Sequence, residues 1–169
     1  MMAPLEQDTA ESSRVFGPPT VIEIHHSLIQ RICRHAKACY PYECCGILIG
    51  RAHGSDGVKI VWDLISTENA EAGGGRDRYL IDGREFLGAD KAADDQGLEI
   101  IGFYHSHPGY PCIPSERDHA LAWHGYSYLI VSIGEEGKTE YRCWALDKDG
   151  KRLIEEGVRE TCGDEGNLQ

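Results

Sequence analysis

Two short segments carry side chains whose types and spacing could hold a metal ion. They are His105-Ser106-His107-Pro108 and, seven residues later, Ser115-Glu116-Arg117-Asp118. His105 and His107 end a predicted strand, where alternate residues project to one face, so both imidazoles can point at one site. Asp118 falls one turn inside a predicted helix, and the loop Pro108–Pro114 is long enough to fold it back onto the histidines. Two imidazoles and a carboxylate, with the fourth position left to water, is the pattern of a catalytic zinc rather than a structural one. A base is also needed. Glu43 stands between a helix stopped by Pro41 and a strongly apolar run. Buried or half-buried there, its pKa would rise and suit it to proton transfer near neutral pH.

Each fragment also has a bland reading. Paired histidines on a strand are more often surface or packing residues than ligands. Ser115-x-x-Asp118 has the form of a helix capping box, with Ser115 accepting from the backbone and Asp118 reaching back. Glu43 could be an ordinary solvent-facing residue at a strand start, and spacing alone does not choose. What shifts the balance is that the two ligand fragments converge on a loop between a strand end and a helix start, where sites tend to sit.

The elements that must position these residues can be read from periodicity. After a polar leader, Val21–Ile24 reads as a short strand. A helix from about Ser27 to Cys39 follows, with Leu28, Ile29, Ile32, Cys33 and Ala36 on one face. Cys44–Gly50 and Val58–Leu64 read as strands joined by the turn His53–Gly57. Glu68–Arg78, with Gly73-Gly74-Gly75, reads as a flexible loop, and Tyr79–Ile81 as a return to extended structure. Asp82 can cap a second helix to about Gln96, with Glu85 three residues on and Gly97 as terminator. Leu98–His105 is a strand, Ser115–His124 a short helix closed by Gly125, and Tyr126–Ile133 with Thr139–Leu146 a hairpin. The tail after Glu156 reads as polar and frayed. The expected fold is α/β (α+β mixed), a mixed β-sheet flanked by helices. One domain spans 20–156, with a flexible leader at 1–19 and a polar C-terminal tail at 157–169.

Composition narrows the function classes. The 169 residues suffice for one domain with a real core, and 41 % apolar with 27 % charged residues is ordinary for a soluble protein. No run approaches the roughly 18 apolar residues of a membrane span. The first twenty residues lack the apolar core of a secretory signal, so a cytoplasmic location is expected. A net charge of −11 repels phosphate backbones and argues against nucleic acid as a partner. Seven cysteines without a Cys-x-x-Cys pair fit neither a disulfide framework nor a zinc ribbon; most read as small buried hydrophobes.

The set Glu43, His105-Ser106-His107-Pro108, Ser115 and Asp118 resembles the signature of the JAMM (MPN-plus) metallopeptidase family. The likeness continues through Pro41-Tyr42-Glu43-Cys44-Cys45-Gly46-Ile47-Leu48-Ile49-Gly50 and Ile100-Ile101-Gly102-Phe103-Tyr104-His105, and spans about residues 21–147. Every signature position is filled. The resemblance implies a cytidine-deaminase-like JAMM/MPN fold and Zn2+ held by His105, His107 and Asp118. It implies that Glu43 takes a proton from the attacking water and returns it to the leaving amine. Ser115 is implied to hydrogen-bond the tetrahedral intermediate or the water. The family's peptidases and isopeptidases cut after the Gly-Gly tail of ubiquitin-like proteins. The compact chain looks most like prokaryotic members that process ubiquitin-like sulfur-carrier proteins. On this likeness Glu68–Arg78 is expected to order beside an extended Gly-Gly tail by strand addition, and a homodimer is a further expectation, since members often pair.

Three other readings compete. A zinc deaminase needs His-x-Glu and Pro-Cys-x-x-Cys; Pro111-Cys112 begins such a pattern, but position 115 is Ser and no His-x-Glu occurs. A non-catalytic interaction domain on the same fold would have no need of intact ligands and base. A zinc amidase acting on a small molecule would share every residue above and differ only in its pocket. Cys112, between the ligand segments, could touch substrate or add a zinc ligand, but is more simply incidental.

Overall fold

The computed structural model describes residues 21–53, 57–71 and 77–163. The expected leader, the Gly73-Gly74-Gly75 run and the tip of the first hairpin lie outside them. Seven strands form one mixed sheet: β1 (Val21–His25), β2 (Cys45–His53), β3 (Val58–Thr67), β4 (Glu99–Pro108), β5 (Ser127–Ile133), β6 (Thr139–Leu146) and β7 (Leu153–Thr161). The sheet closes on itself in the order β1-β3-β2-β4-β5-β6-β7. Pairs β1·β3, β1·β7 and β4·β5 are parallel and the rest antiparallel. Helices α1 (His26–Cys39), α2 (Gly83–Asp94) and α3 (Glu116–Leu121) and a 3-10 turn at Glu135–Gly137 are the helical elements among the described residues. No described helix is long and apolar enough to cross a membrane.

The α1 face predicted from periodicity is the buried one: Leu28, Ile29, Ile32 and Ala36 pack with Ile22, Leu48, Val61, Leu64 and Leu129. Three fully packed aliphatic side chains at roughly 1.5–3 kcal/mol each outweigh an N-cap, about 1 kcal/mol, so burial rather than capping anchors this helix. Strand β2 is buried on both faces, which is why its sequence is continuously apolar. Leu48 faces the α1 cluster, whereas Ile47 and Ile49 meet Ala89 and Ala93 of α2. Gly46 lets the sheet close tightly here, because a Cβ would lie 2.3 Å from the Tyr104 ring.

Four expectations are corrected. Residues after Glu156 do not fray at once: β7 runs to Thr161 and its parallel pairing with β1 closes the sheet, so the expected boundary at 156/157 falls inside a strand. The signal was hidden because most side chains of β7 are exposed, and one of its two inward positions is occupied by Glu156 instead of a hydrophobe. Tyr79–Ile81 forms no strand. Helix α3 stops at Leu121, three residues short of the expected His124. Asp82 caps α2 by accepting from Arg84 N at 2.7 Å, but Glu85 reaches Glu68 N instead of closing a capping box.

Candidate active site

The last residues of β4 alternate as a strand must. His105 and His107 turn one way, into the candidate site, and Ser106 the other. Ser106 is fully buried, and it bonds Cys44 twice: its Oγ accepts from Cys44 N at 2.9 Å and its N–H donates to Cys44 O at 3.1 Å. That double link fastens the ligand strand to the residue after Glu43. The base candidate therefore arrives at the histidines through the residue between them.

Asp118 satisfies both of its sequence readings at once. It is the third residue of α3, and its Oδ2 accepts from Ser115 N at 2.7 Å and Ser115 Oγ at 2.6 Å. Asp118 N in turn donates to Ser115 Oγ at 3.2 Å. The same carboxylate faces the imidazoles, with Oδ1 3.3 Å from His105 Nε2 and Oδ2 3.7 Å from His107 Nε2. The capping box is the device that aims the carboxylate. Ser115 thereby holds Asp118, with its hydroxyl proton directed at Oδ2.

The three side chains fit a zinc ion. His107 Nδ1 donates to Pro111 O at 2.8 Å, which leaves the lone pair of Nε2 pointing inward. The two Nε2 atoms lie 3.0 Å apart, and all the ligand atoms lie within 4.8 Å of one another. Zinc bonds of 2.0–2.1 Å in a tetrahedron put ligand atoms about 3.3 Å apart, and the 3.0, 3.3 and 3.7 Å separations bracket that value. The electrostatics agree. Burial alone would raise the Asp118 pKa, but hydrogen bonds with His105 and His107 hold it well below the carboxylate range. Burial lowers His105, whereas at His107 the bonds to Asp118 and Pro111 outweigh burial and raise it. A fixed anion thus faces two imidazole nitrogens, of which only His107 is drawn toward its charged form, and a cation can take the place of that proton.

Glu43 is buried beside this cluster, and desolvation pushes its carboxyl up to about 7, against the pull of His107. It opens with His107, Ser115 and Asp118 into a cleft of about 310 Å³. Tyr79, Tyr110, Ile113 and Leu121 give the cleft apolar walls, and Arg117 lies at its edge, paired with Glu71 at 3.1 Å. All five residues expected from sequence therefore meet in one place.

Tyr79 is the contributor that sequence reasoning missed. Its ring stacks on His105 at 4.4 Å between centroids, and nothing in the local pattern marks that contact. Strand alternation turns Ser106 away from the histidines, but its bonds to Cys44 were likewise unmarked in the sequence. Cys112 is buried, its carbonyl accepts from Trp144 Nε1 at 3.1 Å, and it is neither among the residues lining the cleft nor in the His105, His107 and Asp118 cluster. His119 points off the site and accepts from Leu153 N at 3.0 Å. All seven cysteines are free.

Residues 25–147 match the family described as prokaryotic homologs of the JAB domain. The chain belongs to that family. It is thereby placed in the prokaryotic branch of the JAMM/MPN proteins, and its named relatives are peptidases. A desampylase of Haloferax volcanii is 33 % identical over 109 residues, 64 % of this chain and 73 % of the relative. A CysO-cysteine peptidase of Mycobacterium tuberculosis is 28 % identical over 131 residues, 77 % of this chain and 86 % of the relative. A solution structure of a protein from Desulfitobacterium hafniense superposes with a TM-score of 0.74 at 29 % identity, covering 85 % of this chain and 95 % of that one.

Proposed function

We propose that this JAB-family protein is a zinc-dependent peptidase or isopeptidase acting on ubiquitin-like sulfur-carrier proteins, cleaving the bond that follows the carrier's C-terminal Gly-Gly. The observation that carries the reading is the convergence of His105, His107 and Asp118 at tetrahedral separations beside Glu43, at the mouth of a cleft. His105 Nε2, His107 Nε2 and the Asp118 carboxylate would hold the metal. Bound zinc supplies Lewis acidity, polarising a scissile carbonyl and lowering the pKa of water toward about 7.

The other steps belong to the chain. Glu43, with a pKa near neutrality, accepts the proton of the attacking water at its carboxylate and passes it to the leaving amine. Ser115 fixes Asp118, and from the cleft wall it serves the tetrahedral centre or the attacking water when its single hydroxyl proton turns away from Asp118 Oδ2. Strand addition of the Gly-Gly tail to Glu68–Arg78, which borders the cleft through Asp77 and Arg78, belongs to the same reading.

Support for the substrate class comes from the relatives, named desampylase, CysO-cysteine peptidase and, in Thermus thermophilus, probable TtuB-protein conjugate cleaving protease. The test is mass spectrometry of ubiquitin-like sulfur carriers bearing one residue or a short peptide after Gly-Gly, incubated with the zinc-loaded protein. Cleavage after the second Gly, lost on chelation and in Glu43→Ala, is the expected result. An intact substrate in the presence of full zinc would reject this substrate class and favour a small amide instead.

A further inference from the structure

The two histidine ligands are held differently. His107 has its second ring nitrogen fixed by Pro111 O, the usual way an imidazole ligand is oriented. His105 lacks such a bond: its Nδ1 is buried without a partner, and the contact that lies flat on its ring is the Tyr79 stack. Tyr79 in turn lies in neither helix nor strand. Something else must fix its backbone.

That something is one side chain. Asn69 Nδ2 donates to Arg78 O and to Glu43 O, each at 3.1 Å. Asn69 Oδ1 accepts from Leu80 N and from Glu71 N, each at 3.1 Å. Arg78 and Leu80 are the residues on either side of Tyr79, and Glu43 is the candidate base. The amide uses both donors and both acceptor positions. Its orientation is dictated by the partners, since a flipped amide would set NH2 against two N–H groups and its oxygen against two carbonyls. One further backbone bond, Ala70 N to Leu80 O at 2.9 Å, supports the same segment.

We propose that Asn69 is a positioning residue that locks two parts of the site to each other: the Glu43 backbone and the Tyr79 ring that orients His105. It touches neither substrate nor metal and acts through Glu43 and Tyr79. In its kinetic arm alone this inference rests on the peptidase reading. A displacement of about 1 Å in a reacting group costs on the order of 10²-fold in rate, and that is the loss expected when the clamp is removed.

Two variants separate its halves. Asn69→Ala removes all four bonds. Asn69→Asp keeps an acceptor for Glu71 N and Leu80 N but turns an oxygen toward the Glu43 and Arg78 carbonyls. The measurements are amide exchange of Glu71 and Leu80, the nuclear Overhauser contact between the Tyr79 and His105 rings, and kcat and KM at a temperature where both variants are folded. For Asn69→Ala the expected result is rapid exchange at both amides, loss of the ring contact and a kcat about 10²-fold lower with KM little changed. Asn69→Asp should keep the amide protection yet lose a comparable share of kcat, which a merely structural pin would not do. The exchange and ring-contact measurements need no turnover, so they decide the clamp even if the wild-type chain cleaves no carrier. Retention of the ring contact and amide protection in Asn69→Ala would overturn the proposal. So would a kcat that falls only in step with the folded fraction.

Discussion

Among the described residues two clusters of ionisable side chains are buried, and they differ in aim and access. The first is His105, His107, Asp118 and Glu43. The second joins four strands: Lys59 of β3 donates from Nζ to Ser127 Oγ of β5 at 2.9 Å, and Cys143 of β6 donates from Sγ to Glu156 Oε2 of β7 at 3.4 Å. All four of these side chains are buried. Burial shifts pKa values in both clusters, raising Glu43 and Glu156 and lowering His105 and Lys59. Each even has one buried polar atom without a partner, His105 Nδ1 and Glu156 Oε1. The distinction lies elsewhere. In the first, lone pairs converge at the separations of a metal's ligands and border a cleft. In the second, a cation, hydroxyl, thiol and carboxylate neutralise one another, and none of them lines that cleft. Perturbed titration alone does not make a site; shared aim and access do.

Substitutions can break that comparison. The largest effect is expected for Asp118→Ala, which removes the anion and one ligand: bound zinc by metal analysis and peptidase turnover should both disappear. Glu43→Gln should follow, with a rate loss in the range of about 10²–10⁴ and full zinc retained. A metal-free Glu43→Gln protein would make Glu43 a ligand and redraw the site.

In the closed cluster the expected effect is on stability. Lys59→Met removes the cation whose charge acts on buried Glu156 and should lower stability in chemical denaturation, with kcat unchanged while the protein is folded. Lys59→Met combined with Glu156→Leu should recover most of that loss. A large kcat defect in folded Lys59→Met would show that the two clusters communicate.

The smallest expected effect sharpens the first cluster. Glu43 is raised to about 7 by burial, so in the metal-free protein its ionisation opposes folding once pH exceeds the unfolded value, about 4.3. The penalty grows until pH passes the folded pKa and is then constant. Metal-free Glu43→Gln should therefore be more stable than wild type at pH 8, by on the order of 1–3 kcal/mol. The difference should shrink to nothing near pH 4. Denaturation curves at the two pH values check this, and an advantage that is larger at pH 4 would mean that Glu43 is stabilised as the anion.

How much of this was legible beforehand depends on the range of the interaction. Helix α1, its buried face and strands β2 to β6 were readable because periodicity is local and each element buries a continuous apolar stripe or run. Strand β7 was not, since its pairing with β1 joins residues more than a hundred positions apart and its sequence alternates charges with little apolar signal. The candidate ligands and base were legible because chemistry restricts their types and the family signature restricts their spacing. Tyr79 and Asn69 carried no such mark: a tyrosine and an asparagine in a polar loop are what any loop contains.

The sequence by itself determined which side chains could bind zinc and move a proton, and that the chain would bury a mixed sheet under amphipathic helices. Only the tertiary structure decided that one carboxylate serves as both helix cap and ligand partner, that Ser106 brings Glu43 to the histidines, and that Asn69 ties both to Tyr79. Residue types and local periods are written along the chain. Hydrogen bonds such as Cys44 to Ser106, 62 positions apart, exist only once the sheet has closed.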